Sequence, residues 1–261
     1  MAKHHELIVK QLVQSLRPRT ILDCPCGEGW LGSSLSYHPI IDGIDLYKKA
    51  NNNYRMIQAL DLNNGIPDSY PSYECIVCCE GLEHLGNPEL FLRTARAHLK
   101  PSGTLIITTP NAWYIQSRFQ YLFRGFWPSF PCLIGKVNKG DHMHIMPWTF
   151  PQIYLFLELA GYKYIELYSK NEVLGNTRSY EKLFSLPQRW YCSGKLQKSK
   201  SIKEISFWKY CVSKASLYSR NLIVVASTNS IPAYNYQALP DNKPTRDRKN
   251  KGEVSLPWPT V

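Results

Sequence analysis

The stretch Ile21-Leu22-Asp23-Cys24-Pro25-Cys26-Gly27-Glu28-Gly29 limits what this chain can fold into more than any other feature. An apolar run ends on an acid, a turn with two glycines one residue apart follows, and helix-compatible residues begin near Trp30. Glycine lets backbone approach a ligand with no Cβ in the way, and the unpaired N–H groups of a helix start can face its polar end. A strand, turn and helix of this kind form one unit of an α/β sheet, where ligands lie across the carboxyl ends of the strands. A second acid, Asp45, closes the next β-rich run, where it can accept hydrogen bonds from ribose hydroxyls.

The rest of the chain repeats that order. Leu7, Ile8, Leu12 and Leu16 fall at helical spacing before Arg17-Pro18, which predicts a lead-in helix. β-rich runs at 20–24, 40–46, 55–61, 74–80 and 104–109 are separated by helical or loop segments. The clearest connection is 88–99, with apolar Leu90, Phe91, Ala95 and Leu99, followed by the turn residues Lys100-Pro101-Ser102-Gly103. Thr149 opens a further helix that Gly161 stops, and two closing strands follow at 162–168 and 221–227. The alternation predicts an α/β fold: a doubly wound, Rossmann-like, mainly parallel seven-stranded sheet with a helical insertion before the last strand. Residues 1–170 with 220–228 then form the core, 171–219 a basic, aromatic insertion, and the proline-punctuated 229–261 a disordered tail.

A nicotinamide dinucleotide site would need G-x-G-x-x-G, which the loop lacks. Its D-x-P-x-G-x-G instead resembles the D/E-x-G-x-G-x-G motif of class I S-adenosylmethionine-dependent methyltransferases, with Pro25 standing where that family usually has its first glycine. The resemblance covers residues 20–168. It implies S-adenosylmethionine as cofactor, with contacts from Asp23, Cys24, Cys26, Gly27, Gly29, Trp30, Asp45, Leu46, Asp61, Leu62 and Glu80. Asp61 resembles the acid that accepts from the adenine amino group. Glu80, with Leu82-Glu83-His84-Leu85, resembles the fourth-strand motif beside the sulfonium, and 99–105 resembles the L-x-P-x-G-x-L turn into strand five. The alternative is a generic α/β domain whose Gly27, Gly29 and Asp45 only shape turns; four matches in family order weigh against it.

Methyl transfer from a sulfonium is an in-line displacement on carbon, so the protein aligns an acceptor and, where needed, takes its proton. His84 is the base candidate, because an imidazole with an ordinary pKa of about 6.5 accepts a proton near neutrality. Glu83 and His144 join it as candidate catalytic residues. Glu80-Gly81-Leu82-Glu83-His84 also has the spacing E-x-x-E-H. With a distal histidine, the set Glu80, Glu83, His84, His142 and His144 offers oxygen and nitrogen ligands for a divalent ion such as magnesium. This arrangement is similar to the metal-dependent branch of the family, which includes ubiquinone-biosynthesis O-methyltransferases and small-RNA 2′-O-methyltransferases. Asp141-His142 fits a D-H pattern, whereas His144 has the expected distance to Thr149. The plainer alternative is that Glu83 and His84 cap the next helix or bond to residues 103–109. The acceptor site is expected from Pro110-Asn111-Ala112-Trp113-Tyr114, the aromatic stretch 119–130 and Met146-Pro147-Trp148.

Composition bears on partners and compartment. The start of the chain has no apolar leader, and no run is long enough to span a bilayer, so neither secretion nor integral membrane association is expected and the default compartment is the cytoplasm. Eight cysteines read as buried thiols; the CxxC pair Cys75 and Cys78 points to opposite faces of a strand. The net charge of +11 is concentrated late, with Lys195, Lys198, Lys200, Lys203, Lys209, Lys214 and Arg220 interleaved with Phe207, Trp208 and Tyr210. The run Leu82–Pro88, Thr-Thr-Pro-Asn at 108–111 and His144 to Thr149 are similar to bacterial enzymes that modify glycans, lipids and secondary metabolites. The favoured acceptor is therefore a saccharide or another small-molecule hydroxyl. RNA held by the basic insertion is the runner-up, and a cofactor-binding module without catalysis the third reading.

Overall fold

The computed structural model describes residues 4–47, 53–128, 143–168 and 178–229. Asp141, His142, Cys132, residues 171–177 of the insertion and residues 230–261 of the tail lie outside these.

Helix α1 (His4–Leu16) buries Ile8, Val9, Leu12 and Val13 and packs Leu16 against the same core, while Leu7 stays half exposed. Among the described residues seven strands follow: β1 (Thr20–Asp23), β2 (Ile40–Asp45), β3 (Met56–Ala59), β4 (Tyr73–Cys79), β5 (Leu99–Pro110), β6 (Tyr164–Leu167) and β7 (Asn221–Ser227). They form one sheet in the order β3-β2-β1-β4-β5-β7-β6. The first five are mutually parallel, and β7 runs antiparallel to both β5 and β6. The chain winds outward from β1 to β3, then returns to β4 and winds the other way. The strand order therefore reverses between β1 and β4, the point where sheets of this kind open a crevice.

The central strands are apolar on both sides because both faces are covered. Cys24, Leu22 and Cys78 join one core with Ile76, Phe91 and Trp148, whereas Cys26, Ile21 and Cys75 join the other with Val9, Leu12 and Val77. Cys75 and Cys78 thus serve opposite faces, as strand alternation requires, and the seven described cysteines are free, buried thiols. Asp42 on β2 is fully buried; Arg55 pairs with its carboxylate and the Tyr73 hydroxyl donates to it at 2.6 Å.

One element differs from expectation. Lys100-Pro101-Ser102-Gly103 does not separate helix α3 (Pro88–Ala97) from β5 as a free turn; it lies inside β5. Tyr73 pairs with Leu99, Cys75 next pairs with Thr104, and the extra residues bulge between them. The Tyr73 amide, which donates to His98 O at 2.8 Å, draws the strand back that far.

Helix α2 (Trp30–Ser34) follows the glycine loop, α4 (Ile115–Arg124) follows β5, and α5 (Phe150–Leu159) carries a complete capping box of Thr149 and Gln152. Between β6 and β7 lie α6 (Ser179–Phe184), α7 (Leu186–Lys198), α8 (Ile202–Val212) and α9 (Lys214–Tyr218). These helices are fused to the core. Phe150 of α5 meets Phe207 and Tyr210 of α8 at centroid distances of 6.1 and 5.5 Å, and Cys192, Cys211 and Ala215 are buried. Asn111 ties them down further: its Nδ2 donates to Ser216 O and Ser219 O, both at 2.9 Å. Among the described residues, no helix is long and apolar enough to cross a membrane.

Candidate active site

The carboxyl tips of β1, β2, β3 and β4 surround a cavity of about 590 Å³, within the range of ligand pockets. Its floor is the glycine loop. The Cys26 amide donates to Ile44 O and the Gly29 amide to Cys26 O, each at 2.9 Å, which curls the loop over the ends of β1 and β2. Gly27 and Gly29 have φ of +54° and +80°, the left-handed region that disfavours a side chain. Nothing lies within 4 Å of where a Gly27 Cβ would be, so a ligand can meet the backbone there.

Pro25, the departure from the glycine motif, fits because its partner is small. A Cβ on Gly81 at the tip of β4 would overlap the Pro25 ring and press on Cys78 Sγ. Glycine at 81 thus makes the room that proline at 25 occupies.

Of the residues expected at the cofactor, Cys26, Gly27, Trp30, Asp45, Leu46, Asp61, Leu62 and Glu80 line the cavity, while Asp23, Cys24 and Gly29 stand behind it. Asp45 accepts from the Gly27 amide through Oδ2 and from the Tyr47 amide through Oδ1, both at 2.9 Å. Asp61 caps the short 3-10 turn Leu62–Asn64, accepting from the Asn63 amide at 2.9 Å. Asp23 is fully buried and accepts from the Tyr54 hydroxyl at 2.5 Å. Burial pushes its pKa up to about 7 against the lowering effect of the Tyr54 bond, and the Asp45 charge adds to the rise.

Glu80 follows β4 with φ +51°, a conformation that costs a non-glycine residue free energy and persists where the surroundings enforce it. The enforcement is visible. The Glu80 amide donates to Thr108 O at 3.0 Å, and Oε1 accepts from Thr108 Oγ1 at 3.1 Å and Asn221 Nδ2 at 3.0 Å. The Glu80 carboxylate is therefore drawn toward β5 and β7.

A different trio meets at the cavity wall. One ligand atom each of Glu83, His84 and His144 lie within 4.8 Å of one another. Glu83 and His84 sit on the 3-10 turn Leu82–His84 directly after β4. His144 arrives from sixty residues away because the Ile145 and Met146 amides both donate to Glu83 O, at 3.0 and 3.1 Å. His84 Nδ1 lies 2.8 Å from Met143 O. A carbonyl only accepts, so Nδ1 is the nitrogen that donates to it. The two imidazoles pack edge to face at 5.0 Å. Glu83 is buried; Thr109 Oγ1 donates to its Oε2 at 2.9 Å, and Oε1 is an unpartnered buried oxygen 4.0 Å from His84 Nε2. Burial, reinforced by the Glu80 charge, raises the Glu83 pKa to about 8.

Of the expected acceptor segments, residues 129 and 130 lie outside those described, and the described ones do not line this cavity. Trp148 is in the core and Asn111 in the internal bonds described above, so neither forms a wall of the cavity. Residues that sequence reasoning passed over do line it: His5 and Glu6 from the first turn of α1, Tyr47, Asn63, Met143 and Ile145. Tyr47, two residues past Asp45, was within reach of motif reading. The α1 pair was not, because that segment shows only its apolar spacing.

A family profile described as a methyltransferase domain matches residues 2–167. This chain belongs to that family. The methyltransferase is 29% identical over 111 residues to a ubiquinone biosynthesis O-methyltransferase of Chromobacterium violaceum, covering 37% of this chain and 47% of the relative. It is 30% identical over 150 residues to one of Hydrogenovibrio crunogenus, covering 52% and 58%. It thus spans about half the length of the curated relatives it matches. Its fold is shared with an S-adenosylmethionine-dependent methyltransferase of Clostridium acetobutylicum (TM-score 0.50, 11% identity, 88% and 93% of the chains). It is shared also with the plantazolicin methyltransferase BamL, solved with SAH (TM-score 0.50, 15% identity, 87% and 85%).

The cofactor of the methyltransferase is S-adenosylmethionine, and the charge of the cavity suits it. Glu6, Asp45, Asp61 and Glu80 line it beside Glu83, which its raised pKa keeps protonated near neutrality, and among the described residues no lysine or arginine does. A sulfonium donor carries one more positive charge than the thioether left after transfer. This acidic lining favours donor over product, even in a protein whose net charge is +11.

Proposed function

We propose that this methyltransferase O-methylates a small, uncharged acceptor, a saccharide or another small-molecule hydroxyl, with His84 as the group that takes the hydroxyl proton. The observation that carries this reading is the convergence of Glu83, His84 and His144 at the cavity wall beside the tip of β4. His84 has its Nδ1 engaged by Met143 O, and Nε2, 4.0 Å from Glu83 Oε1, is the nitrogen that would act as base or ligand. Asp45 would accept from the ribose, Asp61 from the adenine amino group, and the amides of the glycine loop would face the methionine end. The relatives' names support oxygen as the accepting atom.

A divalent ion fits the trio: one carboxylate with an unpartnered buried oxygen, and two imidazoles, one with its far nitrogen fixed by a carbonyl as metal-ligating histidines commonly are. Bound there, it would lower the pKa of an acceptor hydroxyl. Two imidazoles and one carboxylate suit zinc or iron better than magnesium, which prefers oxygen ligands. The Glu80 side chain, held by Thr108 and Asn221, stands apart from this set.

An RNA acceptor draws less support. Tyr210 is buried and Phe207 and Trp208 pack against the core, so they offer no stacking platform, and among the described residues no lysine or arginine lines the cavity to receive a phosphate. A cytoplasmic setting accords with the free cysteines.

The test is a mass-shift screen with labelled methyl donor against sugar nucleotides, lipid-linked saccharides, quinone precursors and short RNAs, with and without chelator. Methylation on a hydroxyl of an uncharged ring is expected. Transfer only to nitrogen or only to RNA would overturn the reading.

A further inference from the structure

We infer that the face made by α4 and the α6–α7 junction docks on an anionic lipid bilayer. Its side chains are large, apolar and in water: Trp190 is 82% exposed, Phe123 80%, Leu122 72% and Leu183 61%, with Phe184 and Leu186 about half exposed. Scattered apolar residues on a surface need no explanation, but a contiguous set does.

Contiguity is supplied by Phe119. Its ring stacks on Phe123 at 6.3 Å within α4 and meets Phe184 of α6 edge-on at 5.0 Å, while Arg118 Nη2 donates to Phe184 O at 3.0 Å. Leu186 opens α7 immediately after Phe184 and Ser185, and Trp190 follows one turn later on the same side.

The chemistry of the occupant follows from the charges and the side-chain types. Residues 111–128 hold no acid, and 178–200 hold only Glu181, which is buried and accepts from the Tyr114 hydroxyl. Arg124, Lys182, Arg189, Lys195 and Lys198 are exposed around the apolar group. A second copy of this chain would press the same cations against one another in a symmetric contact. Nucleic acid would satisfy the cations and could stack on Trp190, but three of the six apolar residues are leucines, which have no aromatic face for a base. Hydrocarbon under a layer of anionic headgroups satisfies both sets: leucine, phenylalanine and tryptophan at the acyl boundary, lysine and arginine among the phosphates.

Topology places this face usefully. β5 delivers α4 from the same edge of the sheet that opens the cavity, and β7 runs back from that edge, so α6 and α7 also lie on its approach. Docking of this kind does not depend on which hydroxyl is methylated.

The test is sedimentation of the full chain with vesicles of phosphatidylcholine alone or mixed with phosphatidylglycerol, at low and high salt. Binding is expected only with the anionic vesicles, and it should weaken at high salt. Phe123→Ser with Trp190→Ser should lower the partition coefficient about tenfold or more, and Lys182→Glu with Arg189→Glu by a similar factor. Both variants should keep wild-type affinity for S-adenosylmethionine in calorimetry, which separates lost docking from lost folding. Vesicles carrying brominated acyl chains should quench tryptophan fluorescence in the wild type and less in Trp190→Phe. No pelleting with anionic vesicles at low salt would overturn the inference. So would a dimer that the two variants abolish, or displacement from vesicles by single-stranded RNA that the Trp190 variant no longer binds.

Discussion

The Gly27 amide and the Tyr47 amide share one carboxylate, that of Asp45, each at 2.9 Å. The tip of β2 therefore holds the glycine loop in place as well as facing the cavity. Asp45→Ala removes both the loop clamp and the charged acceptor proposed for a ribose. Dissociation constants for S-adenosylmethionine should rise about tenfold to a hundredfold, as expected for a lost charged hydrogen bond, and Asp45→Asn should fall between. Titration calorimetry checks it; wild-type affinity in the alanine variant would place the cofactor elsewhere.

Gly81 and Pro25 should behave as a pair. Gly81→Ala forces a methyl into the proline ring and should cost about 1–3 kcal/mol, the usual penalty for overpacking. Adding Pro25→Gly should recover most of the loss. Thermal melts of the single and double variants decide it: equal melting points for the two would show that the contact with Pro25 is not the cause.

Stability without cofactor should fall as pH rises toward neutrality. Asp23 holds its proton up to about pH 7 in the folded chain, against an ordinary value of 3.8. Between those values the native state binds a proton that the unfolded chain has released. The stabilisation is complete below about pH 4 and is lost as pH rises through 7, with an upper bound of about 4 kcal/mol. Glu83 contributes in the same sense up to about pH 8, so Asp23 is isolated by comparison with Asp23→Asn. Urea denaturation of both proteins across that range is the measurement. Parallel curves would remove Asp23 as a source of the slope.

His84→Ala and His144→Ala should each depress turnover about a hundredfold or more while changing cofactor affinity little, since the proposed function puts both on the acceptor side. If the trio holds an ion, Glu83→Gln should mimic chelator treatment of the wild type, and zinc or iron should restore the chelated enzyme better than magnesium. A turnover insensitive to chelator but lost in His84→Ala would assign His84 the base role alone.

Some of this site could be read from spacing and some could not. The turn at Gly27 and Gly29 and the place of Asp45 at the end of β2 were legible because a left-handed turn and a strand-end acid are local requirements with local residue preferences. Choosing His144 depended on two amides from 145 and 146 reaching the carbonyl of Glu83, a contact that no periodicity announces. Tyr54 on Asp23 and Arg55 with Tyr73 on Asp42 were missed for the same reason, each pairing side chains of different strands or loops. The insertion misled in an instructive way. Phe207, Trp208 and Tyr210 looked like a surface interleaved with lysines, yet on a helix the lysines turn outward and the rings turn in, while the rings that do stay in water belong to α4 and α7.

The reversal of β7 has a consequence for what this protein can become. A strand that runs against its neighbours must begin at the rim formed by their carboxyl ends, at Asn221 beside Pro110, so whatever precedes it is handed to that rim. Segments spliced in there lengthen the mouth of the enzyme and leave the pairing of the sheet untouched, which makes this junction the natural place for new reach to be acquired.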